Sequence, residues 1–227
     1  MSSCVWAPNG QTFVTGHLDK GLGITQWNTR GKMVADWGAS HRVQDLALSP
    51  DASRLVAMDD KTTVYVYNFV TRDLEYTMEM PGKMGSVNIT QNSRYLLVNT
   101  LDGEARLIDL ETRETLRKFQ AHSPKVSSWI IRATLGGANE SFVATGSESE
   151  YSLLIISESN LIIVDGHIYI WHKEYGQLVE DIEGHKSSCN SVSWNPTNPQ
   201  MFASAGDDNS VRMYLYPLLF TDELLTL

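Results

Sequence analysis

Apolar residues in this chain fall in short β-type runs, not in helical stripes. Five runs carry a large hydrophobic side chain near their ends: ITQWN (24–28), VYVYN (64–68), ARLIDL (105–110), IYIWH (168–172) and VRMYL (211–215). Short runs of β-branched and aromatic residues of this kind mark strands. A second apolar run precedes each at hairpin distance, namely TFVTG (12–16), RLVAM (54–58), YLLVN (95–99), FVATG (142–146) and MFASAG (201–206). Farther upstream lie CVWAPNG, LALSPDA, VNITQNS, ATLGGAN and VSWNPTN, where a strand runs into a Pro, Gly, Asn or Asp turn. A more polar fourth strand is predicted at KMVADW, DLEYTM, ETLRKF and QLVEDI.

These elements recur. With Trp27, Tyr67, Ile108, Trp171 and Tyr214 taken as equivalent, the intervals are 40, 41, 63 and 43 residues. Four short strands per repeat, with turn residues between them and almost no helical periodicity, predict an all-β propeller of about five four-stranded blades. A sandwich or barrel of the same strands would show no such period.

The residues that carry a family likeness are Gly184-His185, SVSWNP (191–196), FASAGDD (202–208) and IYIW (168–171), which resemble WD repeats. Longer blocks, SSCVWAPNGQTFVTG, HRVQDLALSPD, YLLVNTLDGEARLIDL, YIWHKEYGQLVE and CNSVSWNPTNPQMFASAGDD, resemble the propellers of the WD-repeat subunits of GID/CTLH-type ubiquitin ligases. That resemblance implies a non-enzymatic scaffold that binds ligase subunits and substrates for proteasome-dependent degradation. It also implies a propeller of about seven blades, so that five make it open or incomplete, the carboxy-terminal part of a longer protein. Oligomerisation in such ligases runs through helical segments ahead of the propeller, which this sequence lacks.

In WD repeats a His after Gly, a Ser or Thr in the second strand, an Asp in the next turn and a Trp form a buried hydrogen-bonded set. Six residues before each Trp-equivalent stand Asp102, Asp165 and Asp208; Ser204 lies four before Asp208, and His185 stands at the start of that blade. His122, Thr145 and Trp171 take the corresponding places in the fourth blade. The resemblance makes this set structural, although a Ser, His and Asp together invite a catalytic reading. A nucleophile needs an exposed oxygen beside a base and an oxyanion donor, which a strand interior denies it. Loops entering the first strand of each blade ring one mouth of a propeller, so Gln44, Arg132 and Asn190 are candidate partner contacts.

One stretch breaks the period. SEYSLLIISESNLIIV (149–164) separates GSE (146–148) from DGHIYIW, and without its 16 residues the interval of 63 becomes 47. Codons for Ser149-Glu150-Tyr151 can contain a splice donor, those for Ser159-Asn160 a branch site and those for Val164-Asp165 an acceptor, in that order and in frame. The stretch is read as an insertion or retained intron in the fourth blade, against the alternative of a long natural loop. Residues 1–216 then form the propeller segment and 217–227 an atypical tail.

Charge and cysteine content narrow the function classes. Lys and Arg total 18 against 27 Asp and Glu, a net charge of -9, which repels nucleic acid and acidic membrane surfaces at long range. Leu153–Val164 is too short to span a bilayer. The two cysteines, Cys4 and Cys189, have no metal or redox spacing, and Cys4 aligns with Leu46, Val87 and Val192 as a buried strand residue. A reducing compartment, cytoplasmic and also nuclear, is expected, so the Asn88 and Asn139 glycosylation patterns stay unused. His167 and His172, five apart on a strand, project to opposite faces and cannot share a metal. No phosphate-cradling loop, metal cluster or cofactor motif is present, so no cofactor is expected. A stand-alone WD-repeat adaptor in signalling, trafficking or RNA processing is the second reading, because fold does not fix function.

Overall fold

A computed structural model describes residues 1–19, 21–120, 131–148 and 166–215. The chain forms antiparallel sheets in sequence order. Blade one holds β1 (Ser3–Trp6), β2 (Thr12–Gly16), β3 (Ile24–Asn28) and β4 (Met33–Asp36). Blade two holds β5 (Asp45–Leu48), β6 (Arg54–Met58), β7 (Thr63–Asn68) and β8 (Leu74–Glu79). Blade three holds β9 (Met84–Ile89), β10 (Tyr95–Thr100), β11 (Glu104–Asp109) and β12 (Thr115–Gln120). Blade four holds β13 (Thr134–Gly136), a 3-10 turn (Ala138–Glu140), β14 (Phe142–Gly146), β15 (His167–His172) and β16 (Leu178–Glu183). Blade five holds β17 (Cys189–Trp194), β18 (Met201–Gly206) and β19 (Val211–Leu215).

Each strand pairs with its neighbours in sequence, so every blade is a meander. Four blades have the predicted four strands, whereas blade five has three among the described residues. The insertion at 149–164, the tail at 217–227, His122 and Asp165 all lie outside the described residues.

Local chemistry sets the first turn of each blade. In blades one to three a backbone N–H closes back on the third residue before it: Gly10 on Ala7, Ala52 on Ser49 and Ser93 on Thr90, at 2.8 to 2.9 Å. Gly10, Ala52 and Ser93 all sit at φ near +60° (65°, 56° and 61°), the left-handed conformation such a hairpin turn demands. Pro8, Pro50 and the short polar residues around them favour the preceding turn positions.

The chain divides into two compact units, Met1–Leu116 and Arg117–Leu227, the division falling within β12. Within the first unit, β1 packs on β5 and β5 on β9; within the second, β13 and β14 pack on β17. The apolar core therefore lies between blades. Val14, Ile24 and Leu55 join blades one and two, Val56, Val66, Leu96 and Ile108 join blades two and three, and Phe142, Ile170, Val192 and Phe202 join blades four and five. No blade can bury its own apolar face, which is why the sequence must repeat. In blades one to four the fourth strand is the wettest of its blade: in β12 only Phe119 is buried.

The sheet register measures the connection between second and third strands. Met58 pairs with Val64, Asn99 with Ala105 and Ala205 with Val211, each leaving 5 residues between, and Gly16 with Ile24, leaving 7. At the equivalent place Gly146 pairs with Ile168, leaving 21, which is 16 more than the shortest connections. The hairpin nevertheless closes normally at its base, where the Ser147 hydroxyl donates to the His167 carbonyl at 3.1 Å.

Candidate functional site

Blade five brings together His185, Ser204 and Asp208. Ser204 projects inward from β18, Asp208 sits in the turn into β19, and His185 stands ahead of β17. His185 Nε2 lies 2.7 Å from Ser204 Oγ and its Nδ1 lies 2.9 Å from Asp208 Oδ1. Asp208 also accepts from the Ser210 hydroxyl at 2.6 Å and from the amides of Lys186 and Ser210 at 3.1 Å each. The Ser210 hydroxyl, then His185 and these amides, hold the Asp208 carboxyl well below the usual carboxylate range. Gly206 lets the imidazole in, for a Cβ there would stand 2.5 Å from His185 Nδ1. The His185 side chain is 0% exposed and Ser204 is 2% exposed, so the oxygen and base of this trio are closed to substrate.

Tyr214 stands where a Trp would complete the set. Its ring stacks on Phe202 at 4.7 Å, and its buried hydroxyl has no hydrogen-bond partner among the described residues. Blade one shows what the indole does. Trp27 Nε1 donates to Thr15 Oγ1 at 2.8 Å, and His17 Nε2 lies 3.1 Å from the same hydroxyl. The sequence reading missed this set because His17 follows Thr15 closely and does not stand at the start of the blade.

The other site residues chosen from sequence are dispersed. Asp102 accepts from the Thr100 hydroxyl, which also contacts the Glu104 carbonyl at 2.6 Å, so Asp102 caps the β10–β11 turn without a histidine. Thr145 is buried on β14, and its hydroxyl donates to the Gly146 carbonyl at 3.2 Å. Trp171 is 2% exposed, packed against Phe119 and Tyr169.

A further buried carboxylate ties blades together. Asp45, 1% exposed on β5, accepts from the Ser3 hydroxyl of β1 at 2.7 Å and from the Val87 amide of β9 at 3.3 Å. The Leu46 amide donates to Ser3 Oγ at 3.2 Å. In sequence Asp45 reads only as a polar residue beside an apolar run, since its partners lie 42 positions away on either side.

A turn cap recurs after each Trp-equivalent in the first four blades. Asn28 Oδ1 accepts the amides of Arg30 and Lys32 at 3.0 Å, and Asn68 Oδ1 those of Val70 and Thr71 at 3.0 Å. Asp109 Oδ1 accepts those of Glu111 and Thr112 at 2.8 and 3.2 Å. In blade four the cap is an imidazole: His172 Nδ1 accepts the amides of Glu174 and Tyr175 at 3.2 and 3.4 Å. Beside it Asn139, Ser141, His172, Lys173, Glu174 and Tyr175 line a depression of about 300 Å³.

Of the candidate partner contacts, Arg132 is exposed and Asn190 half-buried, and the structure joins them: the Arg132 amide donates to the Asn190 carbonyl at 3.0 Å. The Asn190 side chain donates to Asp207 at 2.5 Å. Gln44 is half-buried, its amide bound to the Met58 carbonyl at 2.8 Å. Cys4 corrects the sequence reading: it is exposed, whereas Leu46, Val87 and Val192 at the equivalent place are 3 to 6% exposed. Each of those three packs in a core cluster with the blade before it. Trp6, two residues on, is 58% exposed. Cys189 is buried, which pushes its thiol up to about 12. Among the described residues no group of three His, Cys, Asp or Glu side chains could hold a metal ion. No helix among them is long and apolar enough to cross a membrane.

Comparison with known proteins accords with this geometry. Residues 176–214 match the family model described as WD domain, G-beta repeat. The chain is 32% identical over 222 residues to GID complex subunit 7 of Schizosaccharomyces pombe, covering 94% of this chain and 39% of that protein. It is 31% identical over 215 residues to a WD repeat-containing protein 26 homolog of Arabidopsis thaliana, covering 93% of this chain and 33% of the relative. Eukaryotic translation initiation factor 3 subunit I of Aspergillus oryzae is 22% identical over 270 residues, covering 95% of this chain and 78% of that protein. The chain thus spans about two fifths or less of the GID and protein 26 relatives it matches.

Proposed function

We propose that this chain, whose residues 176–214 match the WD domain, G-beta repeat model and which is similar to GID complex subunit 7, is a non-catalytic platform within a GID-type ubiquitin ligase. Its role there is to hold ligase subunits and substrates together for proteasome-dependent degradation, in the cytoplasm and nucleus. The observation that carries this reading is likeness to a named subunit of the complex along 94% of the chain. The buried state of His185, Ser204 and Asp208 supports a framework role for the residue trio that would otherwise suggest hydrolysis. A net charge of -9 favours protein partners over nucleic acid.

Affinity purification of the tagged chain from cells, read by quantitative mass spectrometry, tests this. The expected result is enrichment of RING-bearing ligase subunits over a tag-only control. Recovery of the chain with no ligase subunit would overturn it. The more distant likeness to initiation factor 3 subunit I favours, as a second reading, a stand-alone adaptor in another assembly. That reading predicts enrichment of translation factors in the same experiment.

A further inference from the structure

The linker between blades one and two is held by side chains. After β4 the Trp37 amide donates to the Ile24 carbonyl at 3.1 Å, and pairing resumes where the Val43 amide donates to the His17 carbonyl at 2.8 Å. Between them, residues 38–42 make no backbone-to-backbone hydrogen bond among the described residues. Their fastening is a ring clasp on β7. The His41 imidazole lies flat on Tyr65, ring centres 3.6 Å apart and planes 6° apart, and its Nε2 stands 2.7 Å from the Tyr67 hydroxyl. Trp37 stands edge-on to the same Tyr67, ring centres 5.8 Å apart. Arg42 adds an ion pair to Asp60 at 3.2 Å, but with the arginine side chain 46% exposed it contributes little.

The proton wiring of the clasp follows from its acceptors. His41 Nδ1 faces the Arg42 carbonyl at 3.4 Å, and a carbonyl can only accept, so the neutral ring carries its hydrogen on Nδ1. Nε2 is then bare and takes the hydrogen of the Tyr67 hydroxyl. Tyr67 is 5% exposed, and burial pushes its hydroxyl up to about 12, so the phenol keeps that hydrogen at neutral and acid pH. A protonated Nε2 can only donate. Tyr67 must then turn its hydrogen away, and its hydroxyl has no other hydrogen-bond partner among the described residues. One added proton thus turns a matched donor and acceptor into a bond that strands a hydrogen.

We propose that residues 38–42 are an acid-released strap, closed on β7 while His41 is neutral and open, with Tyr65 uncovered, once Nε2 takes a proton. The titratable and charged groups facing His41 are Tyr65 and Tyr67 of β7, Asp59 in the turn ahead of β7, and Arg42 beside it with its partner Asp60. Burial works against charge on the imidazole, while the Arg42 carbonyl and Asp59 favour it, and burial prevails. His185, ahead of blade five, differs in touching a carboxylate, Asp208, whereas none is in hydrogen-bond contact with His41 among the described residues. Because His41 is held below its ordinary value of 6.5, the contribution of the closed strap is complete above that pH and is lost as pH falls from 6.5 through the lower folded value.

The test is an NMR titration of the full chain, isotope-labelled at histidine and tyrosine, from about pH 8 to about pH 5. The His41 ring shift reports protonation, and ring-to-ring cross-peaks between His41 and Tyr65 report the strap. The cross-peaks are expected to be strong at the alkaline end and to vanish in step with protonation of His41, with a midpoint below 6.5. Contact that persists over the protonated ring, as an imidazolium held on the Tyr65 face would give, overturns the proposal. A midpoint at or above 6.5 does the same. Tyr67→Phe removes the hydroxyl and keeps the rings, so its His41 midpoint is expected to move up toward 6.5, and an unchanged midpoint overturns the wiring. In urea midpoints the wild-type chain should lose stability as pH falls below 6.5, with a smaller loss in His41→Gln; equal losses count against the strap. The wild-type titration stands by itself if either variant fails to fold.

Discussion

The first unit and blade five satisfy a buried carboxylate in opposite ways. In the first unit Asp45 sits between blades, taking one hydrogen bond from β1 and one from β9 while belonging to β5. In blade five Asp208 spends its bonds inside one blade, on Ser210, His185 and the Lys186 amide. The difference teaches what a repeat protein can place where. A group on the first strand meets its neighbours across blade boundaries, whereas a group at the second turn meets only its own blade. Loss of the first kind should loosen three blades, and loss of the second should loosen one.

Asp45→Ala is the sharpest way to break this comparison. It strands the Ser3 hydroxyl and the Val87 amide in a site that is 1% exposed in the native chain, at an expected cost of about 3 kcal/mol. Urea unfolding should show that loss, and amide exchange should rise in β1, β5 and β9 together. A rise confined to β5 would mean that the between-blade bonds carry little.

His185→Ala comes next, at about 2 kcal/mol, because it leaves Ser204 without its imidazole and Asp208 with one partner fewer. Exchange should rise in β17, β18 and β19. The same blade predicts an acid response. Asp208 is held below its ordinary value of 3.8, so its contribution is complete above that pH and is lost as pH falls through the lower folded value. Asp208→Asn should flatten that acid limb in a pH series of urea midpoints.

Smaller effects sharpen the picture from the other side. Deleting residues 149–164 would reduce the connection between Gly146 and Ile168 from 21 residues to the 5 seen in three other blades. Loop closure then favours the deleted form by about 1 kcal/mol, seen as a higher urea midpoint, and a lower midpoint would give the stretch a structural role. Tyr214→Trp should add at most about 1 kcal/mol by offering Ser204 the indole donor that Trp27 gives Thr15. No gain in thermal midpoint would show that the His185 bond already saturates Ser204.

How much of this could be read from residues alone follows from where the information lies. The strands were legible because they are short apolar runs bounded by turn residues: TFVTG, RLVAM, FVATG and MFASAG coincide with β2, β6, β14 and β18. Apolar runs and turn residues are local signals. The partners of Asp45 were not legible, because nothing in a sequence says which strand lies beside β5 on each side. Cys4 was misread for the same reason: alignment gives the position within a blade, while burial depends on the blade next to it. His172 was weighed as a metal ligand and set aside, and its place as the fourth turn cap emerges only beside Asn28, Asn68 and Asp109. His122 and Asp165, placed by resemblance, lie outside the described residues.

The account holds that the first and second strands, buried between neighbouring blades, are the stable part of each unit and the fourth strands its loosest part. Amide hydrogen exchange of the intact chain, resolved by strand, measures this directly. The slowest exchange is expected in β5, β6, β10 and β14, and the fastest among strands in β4, β8, β12 and β16, recurring with each blade. Protection that is uniform along the chain, or greatest in the fourth strands, would contradict it.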